Sequence, residues 1–469
     1  MNLSTKIVLP PRIRVWSKDD WHIYFDPHNF IWVKVNESGR FLMELFRQHF
    51  SVTEIAAITS QKFNLAVEKA EEAVELFVQT VVKAGFIHLG EYKEQERRGF
   101  AQLEFPQYVY VHLTYNCNLK CPYCYNKTDR ETKIELQKVG LVPPTLSTDE
   151  FKHVIRRMIE SGVRRLMFTG GEPLMRHDAL ELIAYARECS EKVEIEILTN
   201  AILIDDKVAE HLCKYVNAVT ISLDGHEKHI HEYYRGKNTF APTIRGIKTL
   251  VNKRREMGQR NPYIAIVPAL TERNIINTKE IFEFSLDELG ADGLAPIIFQ
   301  AGDHQNLTIT QIPELSVYIE EMGRTVQYLK ARTAQRTKEN SAPAKVPPIA
   351  PRNHCGVGHG EISLDPGGFV YPCQSLHYDE FICGNVREDD IQEIFVESPV
   401  MKRMRGTTVD KIPVCSHCDI RYLCNAGCRA TAYNVYREFD AHNEIYCKFL
   451  ETIAIEKLWG ATLVSLSPN

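Results

Sequence analysis

No stretch of the chain stays apolar for the roughly 20 residues a helix needs to cross a bilayer. Its first residues, MNLSTKIVLPPRIRVWSKDD, lack the apolar core and small-residue cleavage site of a secretory signal. Charge of one sign is not in excess either. Lys and Arg number 56 against 61 Asp and Glu, a net of −5, so nothing asks for nucleic acid or an anionic membrane surface. The expectation is a cytoplasmic protein with neither of those partners. At 469 residues, 44% hydrophobic and 25% charged, the chain suits two or three folded domains with a sizeable core.

Cysteine is not scarce. There are 13, and in a reducing compartment clustered thiols serve as metal ligands or catalysts more often than as disulfides. Ten fall into two spaced groups. Cys189 and Cys213 lie in helix-like stretches (ALELIAYAREC, VAEHLCKYV), where cysteine acts as a small buried hydrophobe. Cys383 lies inside the cysteine-rich region and is a candidate metal contact.

The chain divides into segments. Residues 1–92 form an α+β unit: WHIYF and FIWVKV are strand-like, and GRFLMELFRQHF is a helix. Ser51 and Glu54 have the form of a capping box, and VEKAEEAVELFVQTVVKAG ends at Gly85, a helix C-cap. The order suits a winged helix, but Glu68, Glu71, Glu72 and Glu75 on the third helix would repel phosphates. A peptide-binding unit whose sheet edge accepts an added strand is the better expectation. KEQERRG is a polar joint, and residues 93–330 then alternate strand and helix in an α/β pattern. The strands are YVYVHLTY, RRLMFTGG, VEIEILTN, AVTISLDG, YIAIVPAL and GLAPIIF; helices begin near Thr148, His177, Asp206, Phe240, Asn274 and Pro313. Such alternation predicts a partial (β/α)6 barrel, with chemistry at the C-terminal ends of its strands. Residues 331–354 read as a linker, 355–450 as a cysteine-rich domain, and 451–469 as a helix and tail ending near Val464.

Cys117-x3-Cys121-x2-Cys124 follows the first barrel strand. Thiolates so spaced suit zinc or iron–sulfur, and three ligands leave one iron of a four-iron cluster open. The second group is Cys355-x12-Gly368-x4-Cys373, then Cys415-x2-Cys418-x5-Cys424-x3-Cys428, then Cys447. In isolation a zinc ribbon would also fit its CxxC start.

YNCNLKCPYCYN, with Tyr123 before the third cysteine, resembles the signature of the radical S-adenosylmethionine (SAM) superfamily. Gly170-Gly171-Glu172-Pro173, Asn200, Ser222 in ISLDG and Arg235 in YYRG follow in the family's order. The resemblance implies a 4Fe–4S cluster on Cys117, Cys121 and Cys124. It places the SAM amino group on Gly170, Gly171 and Glu172, the carboxylate on Arg235 and the ribose near Ser222, with Tyr123 and Asn200 also in the cofactor site. Where the family often has glycine, this chain has Ala201. The implied chemistry is reductive cleavage of SAM to a 5′-deoxyadenosyl radical that takes a substrate hydrogen, the protein positioning and shielding the cofactors.

The later cysteines match the SPASM extension, which implies two auxiliary 4Fe–4S clusters: an inner one on Cys355, Cys373 and Cys428, and an outer one on Cys415, Cys418, Cys424 and Cys447. GVGHGEISLDP lacks the extra cysteine of relatives with a full inner set. His359, Glu361, Cys383, water or a substrate thiolate could fill that place. In the anaerobic sulfatase maturases, which oxidise a side chain, an Asp base stands where this chain has Gln374, and an amide cannot take that proton.

Residues 1–92, through VNESGRFLMELF, resemble the PqqD-like leader-recognition domain (RRE) of enzymes that modify ribosomally made peptides. The resemblance is to maturases of the sactipeptide and ranthipeptide kind. It implies a precursor peptide held by its leader, a flavodoxin- or ferredoxin-like electron donor, and a Cys sulfur-to-carbon thioether as product. A carbon–carbon crosslink and sulfatase-maturase-like oxidation are the enzymatic alternatives. An iron–sulfur or zinc regulator is the non-enzymatic one.

Overall fold

The computed structural model describes residues 7–92, 105–125, 127–299, 312–337, 351–460 and 465–466. The KEQERRG joint and the expected helix end at Val464 lie outside these.

The first unit is a meander of β1 (Arg14–Lys18), β2 (Trp21–Asp26) and β3 (Ile31–Asn36), followed by α1 (Glu37–Arg47), α2 (Val52–Phe63) and α3 (Val67–Lys83). Asn36 caps α1, and the Ser51–Glu54 capping box opens α2. Gly85 takes φ +78° just beyond α3, a backbone turn that favours glycine. One face of the sheet, with Tyr24, Val33 and Val35, packs on the helices. The other, with Ile23, Phe25 and Trp32, packs on Ile420, Leu423, Ala454 and Leu458 of the cysteine-rich region.

The six expected barrel strands form in order: β4 (Tyr108–His112), β5 (Arg165–Thr169), β6 (Glu194–Thr199), β7 (Ala218–Ser222), β8 (Tyr263–Val267) and β9 (Gly293–Leu294). Each is parallel to its neighbour. Among the helices are α4 (Lys127–Lys138), α5 (Thr148–Glu160), α6 (Ala179–Cys189), α7 (Asp206–Tyr215), α8 (Lys228–Arg235), α9 (Phe240–Glu256) and α10 (Leu315–Thr337). Val109, Val111, Ile195, Ile197, Val219 and Ile221 are fully buried in one core with helix residues. Alternate residues point to opposite faces of a strand, so Tyr110, His112, Glu196 and Thr220 face the barrel interior.

Two features differ from the sequence reading. Helix α10 runs to Thr337, so the first seven residues of the expected 331–354 linker are helical; 338–350 lie outside the described residues. The barrel sheet also continues past residue 355. β10 (Glu361–Leu364) pairs parallel with β4, and β11 (Phe369–Tyr371) and β12 (Gly384–Asn385) extend it, giving the order β9-β8-β7-β6-β5-β4-β10-β11-β12. Helix α11 (Glu444–Gly460) carries the last cysteine, Cys447, in its first turn. Finally β13 (Ser465–Leu466) returns to the first unit and pairs parallel with β3, at Lys34 and Val35.

Candidate active site and cluster sites

The loop leaving β4 carries Cys117, Cys121 and Cys124. The Leu119 N–H donates to Cys117 Sγ (3.4 Å), and Arg130 on α4 approaches Cys124 Sγ (3.9 Å) while holding the Tyr115 carbonyl (2.7 Å). Burial pushes the Cys121 thiol up to about 11, Cys124 and Cys117 adding to the rise and Arg235 opposing it. The Cys121 sulfur thus senses both neighbouring cysteines and the Arg235 guanidinium.

The glycine pair explains how the next loop reaches them. Gly171 N–H donates to Thr114 O (2.8 Å) and Glu172 N–H to Asn116 O (2.9 Å). A Cβ on Gly171 would fall 2.0 Å from Asn116 O, and Gly170 adopts φ +137°. Only glycine permits both the approach and the turn. The Glu172 carboxylate accepts from Thr199 Oγ1 (2.7 Å) and Asn200 N (2.8 Å), and burial pushes its carboxyl up to about 7. Asn200 Nδ2 reaches back to Asn118 (2.7 Å) in the cysteine loop.

Ser222 ends β7, half-buried. Two residues on, Asp224 is buried and accepts from Tyr123 Oη, from Arg235 Nε (2.6 Å) and Nη2 (3.2 Å), and from Ala269 N (3.0 Å). Burial works to raise the Asp224 carboxyl, yet Arg235 holds it below the usual range. Tyr123, Gly170, Gly171, Glu172, Asn200, Ser222 and Arg235 lie at or beyond the C-terminal ends of β4 to β7, with hydrogen bonds joining Glu172 to Asn200 and Asp224 to both Tyr123 and Arg235. Ala201 sits at φ +62°, the left-handed conformation that glycine favours.

The later cysteines sort into two sets. Burial pushes Cys355 up to about 12, with Cys428 and Glu361 adding. Burial also carries Cys373 well above its ordinary value, helped by Glu361, Cys428 and Cys355, while the Ser375 N–H donates to its sulfur (3.5 Å). Burial pushes Cys415 to about 11, with Cys418 and Cys447 adding against Arg429; Cys424 rises to about 12 by burial, then Cys447, Cys415 and Cys418. The buried Arg429 guanidinium feels thiols of both sets. The sequence reading missed it, although it directly follows Cys428.

Thiols forced up by burial make poor free thiolates, and a bound cation reverses that by deprotonating them. Backbone N–H groups aimed at sulfur are the outer contacts an iron–sulfur thiolate uses. The donor sets therefore fit such clusters. Among the described residues no three His, Cys, Asp or Glu side chains converge where a single metal ion could sit; a cluster with one thiolate per iron does not require it.

The other candidates separate. Cys383 Sγ donates to Phe381 O (3.4 Å) and packs against the barrel core. His359 stacks on His354, ring centroids 3.5 Å apart. Cys213 is buried, and Cys189 half-buried at the end of α6.

The inner set stands at the opposite end of the sheet from the first cysteine loop. Glu361 opens β10 opposite Tyr108, the first residue of β4, and the Cys117 loop follows the last. Along β4 that is about 13 Å of strand.

A cavity of about 450 Å³ opens between α4 and residues 374–380, lined by Tyr125, Asp129, Lys133, Gln374, His377 and Tyr378 among others. Tyr125 Oη donates to Gln374 Oε1 (3.1 Å). Burial pushes Asp129 up to about 7; its buried Oδ2 makes no hydrogen bond and lies 3.9 Å from His377 Nδ1. One wall adjoins Cys124 and the other Cys373.

A partial parallel barrel with three thiols and a glycine cradle at its mouth, followed by two further thiol sets, defines an iron–sulfur enzyme that works on SAM. The chain belongs to the radical SAM superfamily: that family's profile matches residues 111–280, the SPASM iron–sulfur cluster-binding domain matches 355–419, and the coenzyme PQQ synthesis protein D (PqqD) domain matches 22–87. Its barrel binds SAM and a 4Fe–4S cluster, and its SPASM segment binds auxiliary iron–sulfur clusters. The AdoMet-dependent heme synthase of Nitratidesulfovibrio vulgaris is 30% identical over 343 residues, 69% of this chain and 87% of that one. The PqqA peptide cyclase of Bradyrhizobium diazoefficiens is 26% identical, over 72% of this chain and 86% of its own. Streptococcus suis SuiB bound to precursor peptide SuiA shares the fold, with TM-score 0.53 at 15% identity over 92% of this chain and 99% of that one.

Proposed function

We propose that this chain matures a ribosomally made peptide in the cytoplasm, forming a radical-derived crosslink, with a Cys sulfur-to-carbon thioether favoured over a carbon–carbon bond. Cys117, Cys121 and Cys124 would hold the SAM-binding cluster; Cys355, Cys373 and Cys428 the inner auxiliary cluster; Cys415, Cys418, Cys424 and Cys447 the outer one. The grouping of thiols by mutual influence supports these sets. Bound there, the cluster and SAM supply a carbon radical strong enough to take hydrogen from an unactivated C–H bond. The chain's own part is placement. Glu172 and the Gly170–Gly171 backbone would orient the SAM amino group, Arg235 the carboxylate, and Tyr123, Asn200 and Ser222 the rest. The Asp224 bonds fix Arg235 through Nε and Nη2. A flavodoxin- or ferredoxin-like protein would supply electrons. No helix among the described residues is long and apolar enough to cross a membrane.

The observation that carries the peptide reading is the first unit: a PqqD-like sheet whose β3 edge already accepts a strand, from Ser465–Leu466. A leader strand at that edge would gain main-chain hydrogen bonds and hold the tethered core peptide near the barrel at raised effective concentration. The PqqA peptide cyclase, named for a peptide, supports the same reading. The likeness to heme synthases supports a second one, a porphyrin substrate. The test is anaerobic incubation of reconstituted enzyme, SAM and reductant with a cysteine-containing precursor peptide, read by mass spectrometry. Loss of two hydrogens with a cysteine no longer alkylatable is expected. 5′-Deoxyadenosine without peptide change, together with conversion of an added porphyrin, would overturn the peptide reading.

A further inference from the structure

Three cysteines leave one iron of a four-iron cluster without a protein ligand, and the fold places a specific side chain at the inner set. The chain turns tightly after Cys355: the N–H groups of His359 and Gly360 both donate to Gly356 O (3.0 Å). The turn brings Glu361 back over the residue next to Cys355. A Cβ on Gly356 would lie 3.2 Å from Glu361 Cδ and 3.4 Å from each carboxylate oxygen. The antiparallel pairing of β10 with β11, Ser363 opposite Tyr371, carries Cys373 to the same carboxylate, whose charge it feels. Glu361 sits at the first position of β10, where its neighbour Ile362 is buried in the barrel core, so strand alternation turns the carboxylate to the interior face. Cys383 is engaged with Phe381 O; His359 stacks on the His354 ring and keeps a buried Nε2 without a hydrogen bond, so it is the rival ligand that the test must separate from Glu361.

We infer that Glu361 is the fourth protein ligand of the inner auxiliary cluster, closing the iron that Cys355, Cys373 and Cys428 leave open. This rests on the cysteine assignment proposed above. A carboxylate is an accepted, harder ligand for iron, and Gly356 leaves room for it because any side chain there would press on it. A closed cluster offers no iron to a substrate sulfur, so its role toward the peptide is to exchange electrons through space rather than to bind the thiol.

The test uses full-length, anaerobically reconstituted protein in which Cys117, Cys121 and Cys124 are replaced by Ala, so that only auxiliary signals remain. Electron paramagnetic resonance is recorded with and without added 2-mercaptoethanol. The parent spectrum should ignore the thiol, the Glu361→Ala spectrum should shift on adding it, and His359→Ala should match the parent. A parent spectrum that shifts with thiol, a Glu361→Ala spectrum identical to the parent in both conditions, or nitrogen hyperfine coupling that vanishes in His359→Ala would each overturn the inference. Should Glu361→Ala lose the cluster, Glu361→Cys should restore iron content and a thiol-insensitive spectrum; loss in both overturns it. A Cys355→Ala variant that retains the inner signal would show instead that the cysteine assignment is wrong.

Discussion

A methyl group on residue 171 would fall 2.0 Å from the Asn116 carbonyl, inside any permitted contact. Gly171→Ala should therefore push the second loop off the cysteine loop, and we expect it to lose most SAM binding by equilibrium dialysis while keeping auxiliary-cluster absorbance. Asp129 gives a pH signature. Its carboxyl is raised by burial from 3.8 to about 7, so the folded state holds a proton that the unfolded chain has released. The stability this gives is complete below pH 4 and lost as pH rises through 7, by at most about 4 kcal/mol. Asp129→Asn should flatten the fall in melting temperature between about pH 4 and pH 7; an unchanged slope would contradict it. The candidate cluster cysteines and Gly171 stand out in the sequence because ligation and close approach admit few residue types at fixed spacing. Asp129, Lys133 and Arg429 do not. Their character comes from burial against segments such as residues 374–380, some 240 positions away from α4, which no local pattern records.

Elements were legible where the chain announces their ends. The Ser51–Glu54 capping box forms as read, and a second one, Ser147–Glu150, opens α5. The second does more than cap: Arg387 donates to Glu150 Oε1 (2.6 Å), tying α5 to the segment after β12. Glu150→Ala should cost about 1 kcal/mol through the cap, plus the lost tie, measured by urea unfolding. Strand β1 was missed because its five residues, RVWSK, are mostly exposed and polar. The linker was placed too early because Ala, Arg and Lys serve a helix as well as a loop. That β10 to β12 join the barrel sheet was hidden, since strand order is set by register and not by sequence position.

On the scale of the whole molecule, the first unit is more than a tethered adaptor. Arg12 (2.8 Å) and Arg14 (2.5 Å) bridge to the buried Asp419, between Cys418 and the Ile420 that packs on the β2–β3 face. Deleting residues 1–92 should stop peptide turnover, leave slow uncoupled SAM cleavage, and also lower iron content by exposing the outer set; full peptide turnover would refute the leader role. A sharper probe is removal of residues 465–469, which vacates the β3 edge. It should tighten leader-peptide binding several-fold by fluorescence anisotropy, and an unchanged dissociation constant would mean that the leader docks elsewhere.

One sheet thus has two owners. Its outer β3 edge is the one proposed for the leader, while Ile23, Phe25 and Trp32 pack on the cysteine-rich region of the enzyme itself. Anyone wishing to retarget this catalyst by grafting a foreign recognition unit must therefore transplant specificity onto the same apolar plug. A graft that keeps the three apolar residues and the two arginines above Asp419 changes the customer; one that discards them opens the machine.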